Sequence, residues 1–97
     1  MILTTTNNIE GHVIQDYLGI VTGVSVNLKT KYSFKTEKNL SISSDLINKA
    51  KEEAFQDLRD NAIKLKANAV VGISIDFETE SGLYFFVSIT GTAVKVA

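Results

Sequence analysis

The segment SDLINKAKEEAFQDLRDNAIKLK, residues 44–66, decides how this chain folds. Its apolar positions Ile47, Ala50, Ala54, Leu58, Ala62 and Leu65 recur at steps of three and four, which lines them along one side of an α-helix. Ser43, Ser44 and Asp45 offer side-chain oxygens to the unpaired N–H groups of the first turn, while Lys64 and Lys66 suit the negative C-terminal end. The spacing predicts a helix from about Ser44 to Lys66. Glu53, Asp57 and Asp60 form an acidic row on it beside Lys49 and Lys64, the pattern of an ion-laced outer face.

The flanking segments switch to a two-residue period. After the helix, Val71, Ile73, Ile75 and Phe77 alternate with Gly72, Ser74, Asp76 and Glu78, predicting a strand with one buried face. Glu80-Ser81-Gly82 reads as a turn, and Leu83, Phe85, Val87 and Ile89 then alternate with Tyr84, Phe86, Ser88 and Thr90 in a final strand. Before the helix, Val13 to Val26 is rich in Val, Ile, Tyr and Thr and predicts one long strand or a broken pair, with Gly19 and Gly23 as bends or bulges. A short strand over Ile2 to Thr5 precedes it. The expected fold class is α+β: an antiparallel sheet with one main helix, roughly β-β-α-β-β.

Composition bounds the rest. The chain has 97 residues, 44% of them hydrophobic, with 10 Lys+Arg against 11 Asp+Glu and no Pro. Nothing in it marks a linker, so residues 1–97 form a single domain. A net charge of −1 argues against a general nucleic-acid binder, which needs clustered basic groups to displace counterions. With no Cys there are no disulfides, thiolate ligands or cysteine nucleophiles. Met1-Ile2-Leu3 runs into the polar Thr4, Thr5, Thr6, Asn7, Asn8, unlike a secretory leader, and no apolar run approaches the ~20 residues of a membrane span. A cytoplasmic location follows as the expectation.

One helix covers only one side of a small sheet. Tyr84, Phe86, Val94 and Val96 on the other side of the last strand are therefore expected to lack an intramolecular partner. Burying each large apolar side chain is worth roughly 1.5–3 kcal/mol. A homo-oligomer built through these four residues is the expectation.

Candidate chemistry is sparse. Asp76, Glu78 and Glu80 put carboxylates at i, i+2 and i+4 on one strand face, hard oxygen donors suited to a divalent metal ion. His12 is the only imidazole and is a further candidate ligand; Asp16, four residues on, would stand ~13 Å away in an extended strand, too far to orient it. Lys29, Lys31, Lys35 and Lys38, interleaved with Tyr32 and Phe34, form a loop suited to an anion or a partner protein. Gly72-Ile73-Ser74-Ile75-Asp76 lacks the second glycine of a nucleophile elbow, and Gly91-Thr92-Ala93-Val94-Lys95 lacks the features of a phosphate loop. Enzymatic function is therefore not expected.

The stretches Asn68-Ala69-Val70-Val71-Gly72-Ile73-Ser74-Ile75-Asp76-Phe77-Glu78 and Val87-Ser88-Ile89-Thr90-Gly91-Thr92-Ala93-Val94 resemble those of the YbjQ-like family. Thr4-Thr5, Glu10-Gly11 and Tyr17-Leu18-Gly19-Ile20-Val21-Thr22-Gly23 extend the resemblance over nearly the whole chain. It departs at Val24, where the family often carries an acidic residue, and at Lys29 to Lys38, where the family has a longer Gly/Arg-containing crossover. The resemblance implies an α+β subunit of a ring-shaped oligomer, a homopentamer, in bacterial cytoplasm, with a heavy-metal-binding label. Two functions are thus expected to compete: an oligomeric divalent-cation binder, and a structural or interaction module whose ring recruits a protein or an anion.

Overall fold

Helix α1 spans Ser44–Lys64, and four strands complete the fold: β1 Ile2–Leu3, β2 Ile14–Leu28, β3 Ala69–Glu80 and β4 Tyr84–Val96. The computed structural model describes residues 1–28, 44–80 and 84–97. The strands lie in the order β1-β3-β4-β2. β4 pairs antiparallel with both long neighbours, but β1 runs parallel to β3 through Ile2↔Ala69 and Leu3↔Val70. The sheet is therefore mixed rather than wholly antiparallel.

The predicted stripe is the buried face of α1. Ala50, Ala54, Leu58 and Ala62 are fully buried against Val21, Val70, Phe85, Val87, Ile89 and Ala93. Leu65 falls beyond the helix and is exposed, because the helix stops earlier than its periodicity suggests. The stop is a left-handed turn at Lys66 (φ 64°), with Lys66 N–H donating to Ile63 O at 2.8 Å and Ala67 N–H to Ala62 O at 3.1 Å. These are the two closing bonds of a Schellman motif, with lysine at the position glycine usually holds.

The small residues on α1 let it approach β2 unusually closely. A Cβ on Gly23 would lie 2.0 Å from Ala54 O and 2.6 Å from Leu58 N. Gly23 is thus a contact point with the helix rather than a bend. The bulges of β2 fall instead between Ile14 and Asp16 and between Tyr17 and Gly19, whose φ of 139° suits glycine.

A third irregularity, between Val71 and Ser74, sits at Gly72 (φ 63°). It breaks the expected alternation of β3: Val71 joins the face away from the helix, while Ile73 stays on the helix side. Farther along, Ile75 and Phe77 are each 44% exposed. The predicted buried face of this strand therefore ends at Ile73. Placement explains why: α1 packs across β2 and β4, and β3 lies on the far side of β4 from β2, beyond the helix's cover.

Candidate functional site

The face of the sheet away from α1 carries the candidate donors. Asp76 and Glu78 lie two apart on β3, both exposed, beside Ser88 and Phe86 of β4 respectively. Glu80 pairs through its backbone with Tyr84, and the side chains of both lie outside the described ones. Lys29, Lys31, Lys35 and Lys38 also lie outside the described residues.

His12 is not part of this group. It precedes β2, and its Nδ1 is 2.9 Å from the main-chain oxygen of Ala97. Ala97 follows the end of β4, whereas Asp76 stands beside Ser88, roughly 25 Å back along that strand. Among the described residues no three or more His, Asp or Glu side chains gather as metal ligands. A heavy-metal ion prefers soft sulfur or several imidazoles. One chain without cysteine, whose single histidine is engaged elsewhere, does not fit such an ion.

The acidic row of α1 has a different task from the one its charge suggests. Asp57 Oδ2 accepts from Val24 N–H at 3.1 Å, and Asn61 Nδ2 donates to Thr22 O at 2.7 Å. Glu53 Oε1 accepts from Ser25 Oγ at 2.9 Å, while Asp60 accepts from Gln56 on the helix itself at 3.0 Å. β2 is a terminal strand, so Thr22 and Val24 would otherwise offer their main-chain groups to any passing strand. Glu53, Asp57 and Asn61, one helical turn apart, shield the middle of that edge.

The apolar side chains on the face away from the helix are not those the sequence singles out. Val94 and Val96 are buried within the chain, in a second cluster with Ala69 and Val71 that Ile9 and Ile14 cover. The segment before β2 folds back over them, held by Gly72 N–H to Thr6 O at 2.8 Å and Ile73 N–H to Thr4 O at 3.1 Å. Asn68 fastens the same corner, its amide accepting from Val96 N at 2.8 Å and donating to Val96 O at 2.9 Å. The expectation that these two valines need a second subunit is therefore not met. Phe86 remains half-buried, and beside it Val26 is 57% exposed. Ile20 (77%), Tyr17 (68%) and Val24 continue an exposed stripe along β2. The alternation of Ile20, Val24 and Val26 with Val21, Gly23 and Ser25 was a readable signal, masked by the apolar character of both sets.

These features define a small α+β domain whose sheet is covered by one helix on one face and by a short strap at one end of the other. Its residues 1–97 match the family model for YbjQ, described as "Putative heavy-metal-binding". The chain belongs to that family. The UPF0145 protein jk0060 of Corynebacterium jeikeium is 37% identical over 102 residues, covering 97% of each chain. A crystal structure of a DUF74-family protein of unknown function from Pediococcus pentosaceus superimposes with a TM-score of 0.74 at 19% identity, over 100% of this chain and 98% of that one. Among the described residues no helix is long and apolar enough to cross a membrane.

Proposed function

We propose that this chain is a non-catalytic interaction module that works as the subunit of a homo-oligomer. The observation that carries the reading is the exposed stripe of Tyr17, Ile20, Val24 and Val26, continued by half-buried Phe86. Four large apolar groups in one row are more than the scattered exposures of an ordinary surface. Shape supports the same reading. The radius of gyration is 16.2 Å over extents of 52 × 23 × 17 Å, against about 12.5 Å for a compact domain of this length.

The interface in this reading shifts from the end of β4 to β2, with Phe86 the one expected residue it retains among the described side chains. A head-to-tail contact that closes on itself makes a ring, and the homopentamer implied by the family resemblance is one such closure. Sedimentation equilibrium tests it: wild type sediments as an oligomer, and Ile20→Lys with Val26→Lys sediments as a folded monomer. A wild-type monomer at micromolar concentration overturns the reading.

Divalent-cation binding is a second, narrower reading, supported by the exposed pair Asp76 and Glu78 and by the family description. Two carboxylates fall short of the six to eight oxygens a calcium-type ion takes. The site would have to be completed by Glu80 or by another subunit. Isothermal titration of chelator-stripped protein, with and without Asp76→Ala plus Glu78→Ala, separates binding at this pair from none.

A further inference from the structure

The two borders of the sheet are treated differently. On the β2 side, α1 shields the middle of the edge with Asp57 and Asn61. On the β3 side, main-chain cover comes from β1 and the strap: Ile2 N–H donates to Asn68 O at 3.3 Å, Thr4 N–H to Val70 O at 3.0 Å, and Ile73 N–H to Thr4 O at 3.1 Å. That cover ends at Ile73. From Ser74 to Thr79 the outer edge of β3 has no main-chain partner among the described residues.

This free edge is amphipathic across its two faces. Ile75 and Phe77 lie on the helix side, where the Phe77 ring meets Phe85 at 5.4 Å between centroids, yet each is 44% exposed. Asp76 and Glu78 lie on the other side, also exposed. Proteins ordinarily blunt a free edge with charged side chains, a proline or a bulge. Residues 74–79 contain no proline and no bulge, and the only charges among them are the carboxylates of Asp76 and Glu78, which guard against acidic strands but not against basic ones.

The charges disfavour β3 of a second copy as the occupant, and the other border of the sheet, β2, has its middle occupied by Asp57 and Asn61 of α1. Pairing β3 with β3 of a second copy, antiparallel and centred on Phe77, would set Asp76 opposite Glu78 of the copy and Glu78 opposite its Asp76. Shifting the register by two residues again places acid beside acid while both helices stay on one side. Like charges directly opposite destabilise a strand pair. We infer that the β3 edge Ser74–Thr79 receives, by strand addition, an extended segment of another protein that alternates basic with apolar residues. Its basic side chains lie beside Asp76 and Glu78, its apolar ones beside Ile75 and Phe77, and its backbone supplies the missing ladder. The inference rests on the reading of the chain as an interaction module and names the partner chemistry of one surface of it.

The probe is a fluorescein-labelled, end-blocked octapeptide of four Lys-Val repeats, titrated with the full-length chain in EDTA and followed by anisotropy. Expected is saturable binding with slowed amide exchange over residues 74–79. The same composition arranged as four lysines followed by four valines binds at least tenfold more weakly, and a Glu-Val octapeptide does not bind. Asp76→Lys with Glu78→Lys reverses the preference between the Lys-Val and Glu-Val peptides, the expected behaviour of complementary charges across an interface. No saturable binding overturns the inference, as does equal binding of the block peptide, which would mark unspecific charge attraction. Loss of wild-type assembly in the charge-reversed variant also overturns it, because a second copy would then hold the edge. Sedimentation of the wild type reports separately on oligomerisation, so failure of the module reading and failure of this edge are told apart.

Discussion

Replacing Gly23 by alanine tests the close approach of α1 to β2. The added methyl carbon would stand 2.0 Å from Ala54 O, 2.6 Å from Leu58 N and 2.9 Å from Leu58 Cβ. The first two are helix backbone, which cannot rotate away as a side-chain tip does. To reach an ordinary packing distance, α1 must withdraw by about 1.5 Å, loosening Ala50, Ala54, Leu58 and Ala62 from the sheet. Overpacking of this kind costs about 1–3 kcal/mol, and the backbone clash places Gly23→Ala toward the upper end. At 4–8 °C per kcal/mol for a domain of this size, the melting temperature should fall by about 10–20 °C. Gly91→Ala provides the comparison. Its new carbon would meet Val70 Cγ1 at 2.5 Å and Ile73 Cγ1 at 3.0 Å, side-chain ends able to yield, with Val71 O at 3.2 Å. Gly11→Ala, with nothing within 4 Å, bears only the strain of φ 85°, about 1 kcal/mol. Thermal melts by circular dichroism at one fixed protein concentration should rank Gly23→Ala well below the other two. A Gly23→Ala melt within a few degrees of wild type, or a lower melt for Gly91→Ala, would refute the close-approach argument.

Other consequences follow from the hydrogen bonds. Asp57→Ala with Asn61→Ala strands Val24 N–H and Thr22 O at the β2 edge, so urea denaturation should show a loss of about 1–2 kcal/mol. Light scattering should also report more concentration-dependent association, since an unshielded edge invites pairing. Lys66→Gly removes a side chain from a left-handed backbone position and should stabilise the fold by roughly 0.5–1 kcal/mol, read as a higher urea midpoint. Asn68→Ala deletes both bonds to Val96 and should cost about 1–3 kcal/mol, with amide exchange at Val96 accelerating more than in the middle of β4.

The helix, its buried alanines and the succession of elements along the chain can be read from the sequence, because periodicities of three to four and of two are local properties of residue spacing, whereas the parallel pairing of β1 with β3 cannot. The same reading placed Asp76 and Glu78 together on one strand face, since alternation guarantees it. It missed the exposure of Ile75 and Phe77: a period of two says which side chains share a face, not whether anything lies over it. It also misjudges Val94 and Val96, whose cover, Ile9 and Ile14, comes from eighty or more residues earlier in the chain.

Glu53 and Asp57 mark the same boundary between local and global information. From the sequence they are charges on a wet helical surface; in the fold they accept hydrogen bonds from Ser25 and Val24, 28 and 33 residues upstream of them. Spacing along the chain determined the elements and the faces of each. Which edges are shielded and which stay open was decided only when the helix settled over β2, drawn there because Gly23 offers no side chain to hold it away. That placement left the far strand uncovered, and the surfaces assigned here a binding role are the ones it left.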